Sequence, residues 1–143
     1  MKKLFKILSV VSLLFILTGC KDSTKQLVCT LDQSSSLNEG VNAEIEIVLK
    51  YEKDKITDEE ENVYFKLDDS IDEDTINSMV EQLNTMCDND SINFKNCKVS
   101  KENNTVTFKS TRSINDLNDA DINEDTSFED AKKVMENRGY TCK

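Results

Sequence analysis

The chain has 143 residues, a formal net charge of −10 at pH 7, and no histidine, proline or tryptophan. The absence of histidine excludes an imidazole general base, serine–histidine and cysteine–histidine nucleophile pairs, and metal sites that need histidine. The acidic charge is unfavourable for binding a phosphate backbone, which requires clustered lysine and arginine, so we expect no nucleic-acid partner.

The first twenty residues have the layout of a secretory signal. Three lysines within the first six residues precede an apolar run over residues 7–17, which ends at Leu17 and is followed by Thr18, Gly19 and Cys20. An aliphatic residue and two small residues before a cysteine resemble a bacterial lipobox, in which cleavage occurs just before a cysteine whose sulfur carries a diacylglyceryl group. The alternative is an uncleaved transmembrane anchor. That anchor needs about 20 apolar residues, and this run is much shorter.

The sequence therefore divides into three parts. We expect residues 1–19 to be a lipoprotein signal peptide, residues 20–26 to be the lipidated cysteine with a short polar tether, and residues 27–143 to be a single domain. Two acyl chains anchor a protein stably, whereas one chain binds only marginally. The expected location is the outer, extracytoplasmic face of the cell membrane, with the acidic domain repelled by anionic headgroups.

Two strands are predicted near the start of the domain. Residues 27–31 are a candidate for a short strand, and residues 33–40 read as a polar loop. From residue 41 to residue 51 apolar and polar residues alternate, which predicts a half-buried antiparallel strand.

A returning strand follows a predicted tight turn at residues 53–55. The inward-facing positions of this strand change parity between Ile56 and Val63. A change of that kind predicts a bulge or a break, which we place near the acidic residues 58–61.

After this strand the sequence predicts one helix followed by two strands. Apolar residues three and four apart predict an amphipathic helix over residues 72–89, with Ser70 or Asp72 as its N-cap. Two strands are predicted after it, over residues 92–101 and 105–110, joined by a short turn.

A second amphipathic helix closes the chain. Thr126 and Glu129 have the spacing of a capping box, and Gly139 is placed where a left-handed residue ends a helix. Residues 140–143 leave room for a short final strand. The predicted order is β-β-β-α-β-β-α-β, which indicates an α+β fold with an antiparallel sheet packed on one face by the two helices.

Four cysteines follow the lipobox, and outside the cytoplasm they favour two disulfides with three possible connectivities. We favour pairing Cys29 with Cys142 and Cys87 with Cys97. Free or buried thiols, a redox pair and a zinc site are the alternatives. The chain has neither the Cys-x-x-Cys motif typical of redox pairs nor the two short-spaced cysteine pairs typical of zinc sites.

Acidic residues in the segment 116–130 partly match an EF-hand loop. The candidate ligands at the first, third, fifth, seventh and twelfth positions are Asp119, Asp121, Asn123, Asp125 and Asp130. The match is incomplete, because Glu124 occupies the position that requires glycine and the last ligand is aspartate rather than glutamate. We therefore assign no metal and no other cofactor, and keep weak binding of a divalent cation or small solute here as an alternative function.

Other catalytic arrangements find no support in the sequence. Only three glycines are present, which excludes glycine-rich phosphate loops, and no Gly-x-Ser-x-Gly elbow occurs. Aromatic residues make up 6% of the chain, too few for the ring-lined cleft of a typical glycosidase. We expect that the protein is not an enzyme.

Several features together resemble the small bacterial lipoproteins of the YehR-like type. They are the lipobox, the hairpin with its turn Tyr51-Glu52-Lys53-Asp54-Lys55, the central helix, and the closing segment Glu129-Asp130-Ala131-Lys132-Lys133 with Gly139-Tyr140. The resemblance implies a compact lipoprotein outside the membrane, without an established activity or catalytic residues.

The expected function is that of a non-enzymatic binding or scaffold domain in the cell envelope. Its partners are the membrane, through the lipid anchor, and an envelope protein or small ligand whose identity the sequence does not indicate. We expect a monomer. An envelope thiol/disulfide protein is a further alternative.

Overall fold

The structure is a computed structural model that describes residues 24–33 and 39–143. The predicted signal peptide, Cys20 and most of the predicted polar loop lie outside the described residues. None of the described helices is both long enough and apolar enough to cross a membrane.

Six strands form one antiparallel sheet, and two helices accompany it. The strands are β1 (Lys25–Asp32), β2 (Val41–Glu52), β3 (Lys55–Leu67), β4 (Phe94–Glu102), β5 (Thr105–Ser113) and β6 (Thr141–Cys142), and the helices are α1 (Glu73–Cys87) and α2 (Phe128–Asn137). The order across the sheet is β4-β5-β3-β2-β1-β6, so β4 and β6 are its edges. This architecture confirms the predicted α+β fold and its order of elements.

Both helices lie on the same face of the sheet. Under α2, Ala131 and Met135 are buried together with Leu27 of β1. Under α1, Ile76 is buried together with Val106 of β5. The apolar side chains that alternate along the strands therefore meet the apolar faces of the helices, and this burial is the main favourable contribution to folding.

A bulge in β3 explains the change of parity in this strand. The pairing register shifts between Lys50 and Tyr51 of β2, which leaves Thr57 as the extra residue of β3. The predicted irregularity is therefore present, just before residues 58–61, and the strand continues without a break through these acidic residues. Beyond the bulge, the odd-numbered residues of β3 face the helices.

The start of α2 differs from the prediction by one residue. Its N-cap is Ser127, whose Oγ accepts a hydrogen bond from the backbone N–H of Asp130 at 3.2 Å. The predicted cap, Thr126, is wrong because its hydroxyl serves the preceding loop, where it accepts a hydrogen bond from the backbone N–H of Asn123 at 2.9 Å.

The other local predictions agree with the structure. Asp72 caps α1, since its side chain accepts a backbone N–H from the first turn. Lys53 and Asp54 adopt positive φ angles of 49° and 65°, as a two-residue hairpin turn of this type requires. Gly139 follows α2 with φ of 93°, where a side chain would be strained.

Two disulfides join the cysteine pairs favoured from the sequence. Cys29 of β1 and Cys142 of β6 are register partners as well as disulfide partners, and they lie 113 residues apart in the chain. Cys87 at the end of α1 is bonded to Cys97 of β4, across a separation of 10 residues. All four cysteines of the described residues are thereby paired.

The two disulfides are expected to stabilise the domain unequally. Replacing Cys29 and Cys142 together with alanine should lower the free energy of unfolding by about 5 kcal/mol, because this bond closes a loop of 113 residues. Replacing Cys87 and Cys97 should cost about 3 kcal/mol, because the closed loop spans 10 residues. Urea unfolding followed by circular dichroism measures both losses, and an equal or larger loss for the short loop would contradict this expectation.

Candidate binding site

Two glutamates occupy inward-facing positions of β3, on the face that carries the core. Glu59 and Glu61 follow the bulge and pair across the sheet with Arg112 and Ser110 of β5. These four residues, which we call the polar strip, separate the apolar cluster under α2 from the cluster under α1. The core is therefore divided by charged and polar side chains.

One guanidinium group faces both carboxylates of the polar strip. Nη2 of Arg112 donates a hydrogen bond to Oε1 of Glu59 at 3.1 Å and lies 3.9 Å from Oε2 of Glu61. Nε of Arg112 and Oγ of Ser110 are buried and have no hydrogen-bond partner among the described residues. The strip therefore contains one more negative than positive charge, together with two buried donors that lack a partner among the described residues.

The pKa values of neighbouring glutamates shift in opposite directions on the two faces of β3. Burial raises the pKa of Glu59 above its usual 4.5, an effect that Arg112 opposes and the charge of Glu61 reinforces. On the outer face, a hydrogen bond from Lys109 lowers the pKa of Glu60 to about 2. The inner carboxylate is thus only partly compensated, whereas the outer one is well stabilised.

An apolar cleft of about 320 Å³ opens beside the polar strip. It includes Glu61 and Arg112, and its apolar walls are formed by Val63, Phe65, Leu83, Met86, Ile92, Phe94 and Phe108. All of these wall residues except Ile92, which lies in the loop between α1 and β4, belong to the sheet or to α1. The cleft is therefore a preformed feature of the fold, with charged groups at its border with the strip.

A polar hollow of about 470 Å³ adjoins this cleft and shares Arg112 and Ile92 with it. Three asparagines contribute to its lining: Asn93, Asn115 and Asn118. The Arg112 guanidinium also lies 5.9 Å from the centre of the Phe94 ring, within the range of a cation–π contact. Arg112 is thus in contact with both an apolar and a polar space.

The acidic loop that leads into α2 is held by Arg138. The guanidinium of Arg138 donates two hydrogen bonds to the carboxylate of Asp119, at 2.7 and 2.9 Å, and a third to Asp121 at 3.1 Å. The pKa of Asp119 is lowered to about 2, mainly by this contact. These two candidate cation ligands therefore attach the loop to the end of α2.

The remaining candidate cation ligands also make local contacts. Oδ1 of Asn123 accepts a hydrogen bond from the backbone N–H of Asp125, whose carboxylate lies 3.0 Å from Nζ of Lys55. Asp130 accepts a hydrogen bond from the hydroxyl of Ser127 at 2.7 Å. In the part of the chain that the structure describes, no three acidic, cysteine or histidine side chains form a group able to hold a metal ion.

Glu59, Glu61 and Arg112 do not stand out in the sequence, where they resemble ordinary surface charges. One signal does point to them. If the inward parity is extended backward from Val63 and forward from Phe108 in steps of two, these charged residues occupy inward positions. The sequence indicates a bulge only approximately, near residues 58–61, and so does not by itself decide which of these residues face inward.

Glu60→Gln is expected to lower the free energy of unfolding at neutral pH by about 1–2 kcal/mol, an amount limited by solvent screening at the surface. The folded-state pKa of Glu60 is about 2, below its unfolded value of 4.5. The stabilisation is therefore complete above pH 4.5 and is lost as the pH falls toward 2. Urea unfolding at several pH values should show the difference between parent and variant closing over this range.

Glu44→Gln makes the same substitution at an exposed position on the same face and serves as the control. A difference between the Glu60→Gln variant and the parent that persists at about pH 2 would contradict the assignment.

Glu59→Gln is expected to show the opposite pH dependence. Because the folded-state pKa of Glu59 is raised, its contribution to stability is complete below pH 4.5 and is lost as the pH rises through the folded-state value. The parent should therefore lose stability relative to this variant with increasing pH. The same series of urea unfolding experiments measures this effect. A difference in the free energy of unfolding between parent and variant that stays constant with pH would refute the expectation.

The chain matches no family model, no curated protein and no solved structure. The resemblance to the YehR-like lipoproteins stays a prediction from the sequence. A function for the chain must therefore be inferred from the chemistry of its own residues.

Proposed function

We propose that this chain is a lipid-anchored protein on the outer face of the cell membrane, and that its domain binds a small ligand without catalysing a reaction. The observation that carries the proposed binding role is the preformed cleft, with apolar walls and with Glu61 and Arg112 at its border. Concave, largely apolar sites with a few placed polar groups are typical of small-molecule binding.

The location is supported by the lipobox and by the disulfides. Cys20 follows Leu17, Thr18 and Gly19, the residue types that lipoprotein processing requires. Two disulfides are typical of proteins that fold outside the cytoplasm. Because β1 begins at Lys25, only a few residues separate the proposed anchor from the sheet, and the domain would remain close to the bilayer.

A binding role is favoured over catalysis by the arrangement of the charged groups. Glu61 lines the cleft and Glu59 is the next inward-facing carboxylate of β3, and the same nitrogen of Arg112 faces both of them. In a pair that acts as general acid and base, the reacting bond of the substrate lies between the two carboxylates. Here one guanidinium nitrogen lies within 4 Å of both carboxylates, which suits recognition of charge rather than proton transfer.

Cys20→Ser tests the anchor. The full chain, produced in a bacterium that processes lipoproteins, should fractionate with membranes, incorporate labelled palmitate and have an intact mass that begins at Cys20. The variant lacks the sulfur that accepts the lipid, so it should carry no label and leave the membrane fraction.

Gly19→Ala is the matched control, because it keeps a small residue before the cleavage site and should preserve lipidation. Retention of the first methionine in the mature protein, or palmitate incorporation into the Cys20→Ser variant, would refute the anchor.

A further inference from the structure

We propose that the cleft binds an α-ammonium group together with the adjacent carbonyl or carboxylate oxygen of a ligand that carries a large apolar side chain. A free apolar amino acid and the N-terminal residue of a peptide both have this chemistry. The proposal rests on the proposed binding function of the cleft and is independent of the lipid anchor.

The negative side of the site is Glu61. Its Oε2 lies 3.9 Å from the nearest nitrogen of Arg112, beyond hydrogen-bond distance, whereas Glu59 is hydrogen-bonded to that nitrogen at 3.1 Å. The side chain of Glu61 is 29% exposed and lines the cleft. An ammonium group placed beside Glu61 would balance the excess negative charge of the polar strip.

The positive side of the site is Arg112. A guanidinium has five N–H donors, and the Arg112 side chain is 26% exposed and lines the cleft. A carbonyl or carboxylate oxygen of a ligand can accept a hydrogen bond from the accessible part of this guanidinium. Because Arg112 and Glu61 both line the cleft, a ligand with neighbouring positive and acceptor groups can contact both residues at once.

The size and lining of the cleft fit one large apolar side chain. Its volume of about 320 Å³ is at the small end of the range for small-molecule sites. Phe65, Phe94 and Phe108 contribute aromatic surface, and Met86 of α1 is 44% exposed and can adjust to the ligand.

Charge excludes two simpler ligands. A fatty-acid anion would leave the excess negative charge of Glu61 uncompensated, and it would approach a chain whose formal net charge is −10. A purely apolar molecule would remove Arg112 and Glu61 from water without forming hydrogen bonds to them, which is unfavourable for polar groups. The cationic group is therefore an essential part of the ligand.

Four small molecules separate these requirements. L-phenylalanine has the ammonium, the carboxylate and the ring, and phenylalaninamide imitates a peptide N-terminus because it keeps the ammonium and a carbonyl oxygen. Phenylpropionate lacks the ammonium, and glycine lacks the apolar side chain. Isothermal titration of the full chain with each compound, supported by NMR shifts of cleft residues, measures the affinities.

Glu61→Gln should weaken the binding of L-phenylalanine or phenylalaninamide about ten-fold, because it removes the charge that pairs with the ammonium. It should not weaken the binding of phenylpropionate, which has no ammonium group and whose carboxylate is repelled by Glu61. Glu60→Gln is the matched control, since it makes the same substitution one residue earlier on the opposite face of β3. That variant should bind like the parent, and the circular dichroism spectra of both variants confirm that they are folded.

The outcomes are distinct. Tighter binding of L-phenylalanine supports a free amino acid as the ligand, and equal or tighter binding of phenylalaninamide supports a peptide N-terminus. The proposal is overturned if no compound binds, if phenylpropionate or glycine binds as well as L-phenylalanine, or if Glu60→Gln weakens binding as much as Glu61→Gln. The anchor tested with Cys20→Ser can fail or succeed independently, because none of these measurements depends on lipidation.

Discussion

The contact of one guanidinium with two inward-facing carboxylates is the constraint around which the core is organised. Arg112 faces Glu59 and Glu61 on the side of the sheet that both helices cover. Charged groups in such a position are tolerated only when they are paired or retain access to water. The apolar core is accordingly split into two clusters, one under each helix, and the cleft lies where the polar strip meets the cluster under α1.

Much of the fold follows from patterns that are local in the sequence. The alternation in β2 predicts a strand because residues two apart share a face, and the spacing in α1 predicts a helix because residues three and four apart do so. The exact position of the bulge at Thr57 is not local, since it depends on how β3 pairs with β2. A shift of one residue moves every later side chain to the other face of the sheet. The sequence alone therefore does not distinguish Glu59 and Glu61 from ordinary surface acids.

For the candidate sites too, some features follow from the sequence and others depend on contacts that only the fold creates. The cysteine pairs could be predicted because they join elements whose order already places them near each other. The spacing from Asp119 to Asp130 resembles a calcium loop, but spacing does not show which oxygens already have partners. In the structure Arg138 contacts Asp119 and Asp121, and Asp130 contacts the capping Ser127. Local turns and ion pairs thus account for an acidic pattern that is also compatible with metal binding.

The two edge strands of the described sheet are poorly suited to pairing with strands of a neighbouring copy of the protein. Lys95, Lys98 and Lys101 lie on β4, where Lys95 is paired with Asp58 and Lys101 with Glu73. Charged side chains on an edge strand oppose its pairing with a strand of another molecule. The opposite edge, β6, is two residues long and covalently bonded to β1, so it offers almost no template for a further strand. A high local concentration of copies would therefore not lead to growth of the sheet from one molecule into the next.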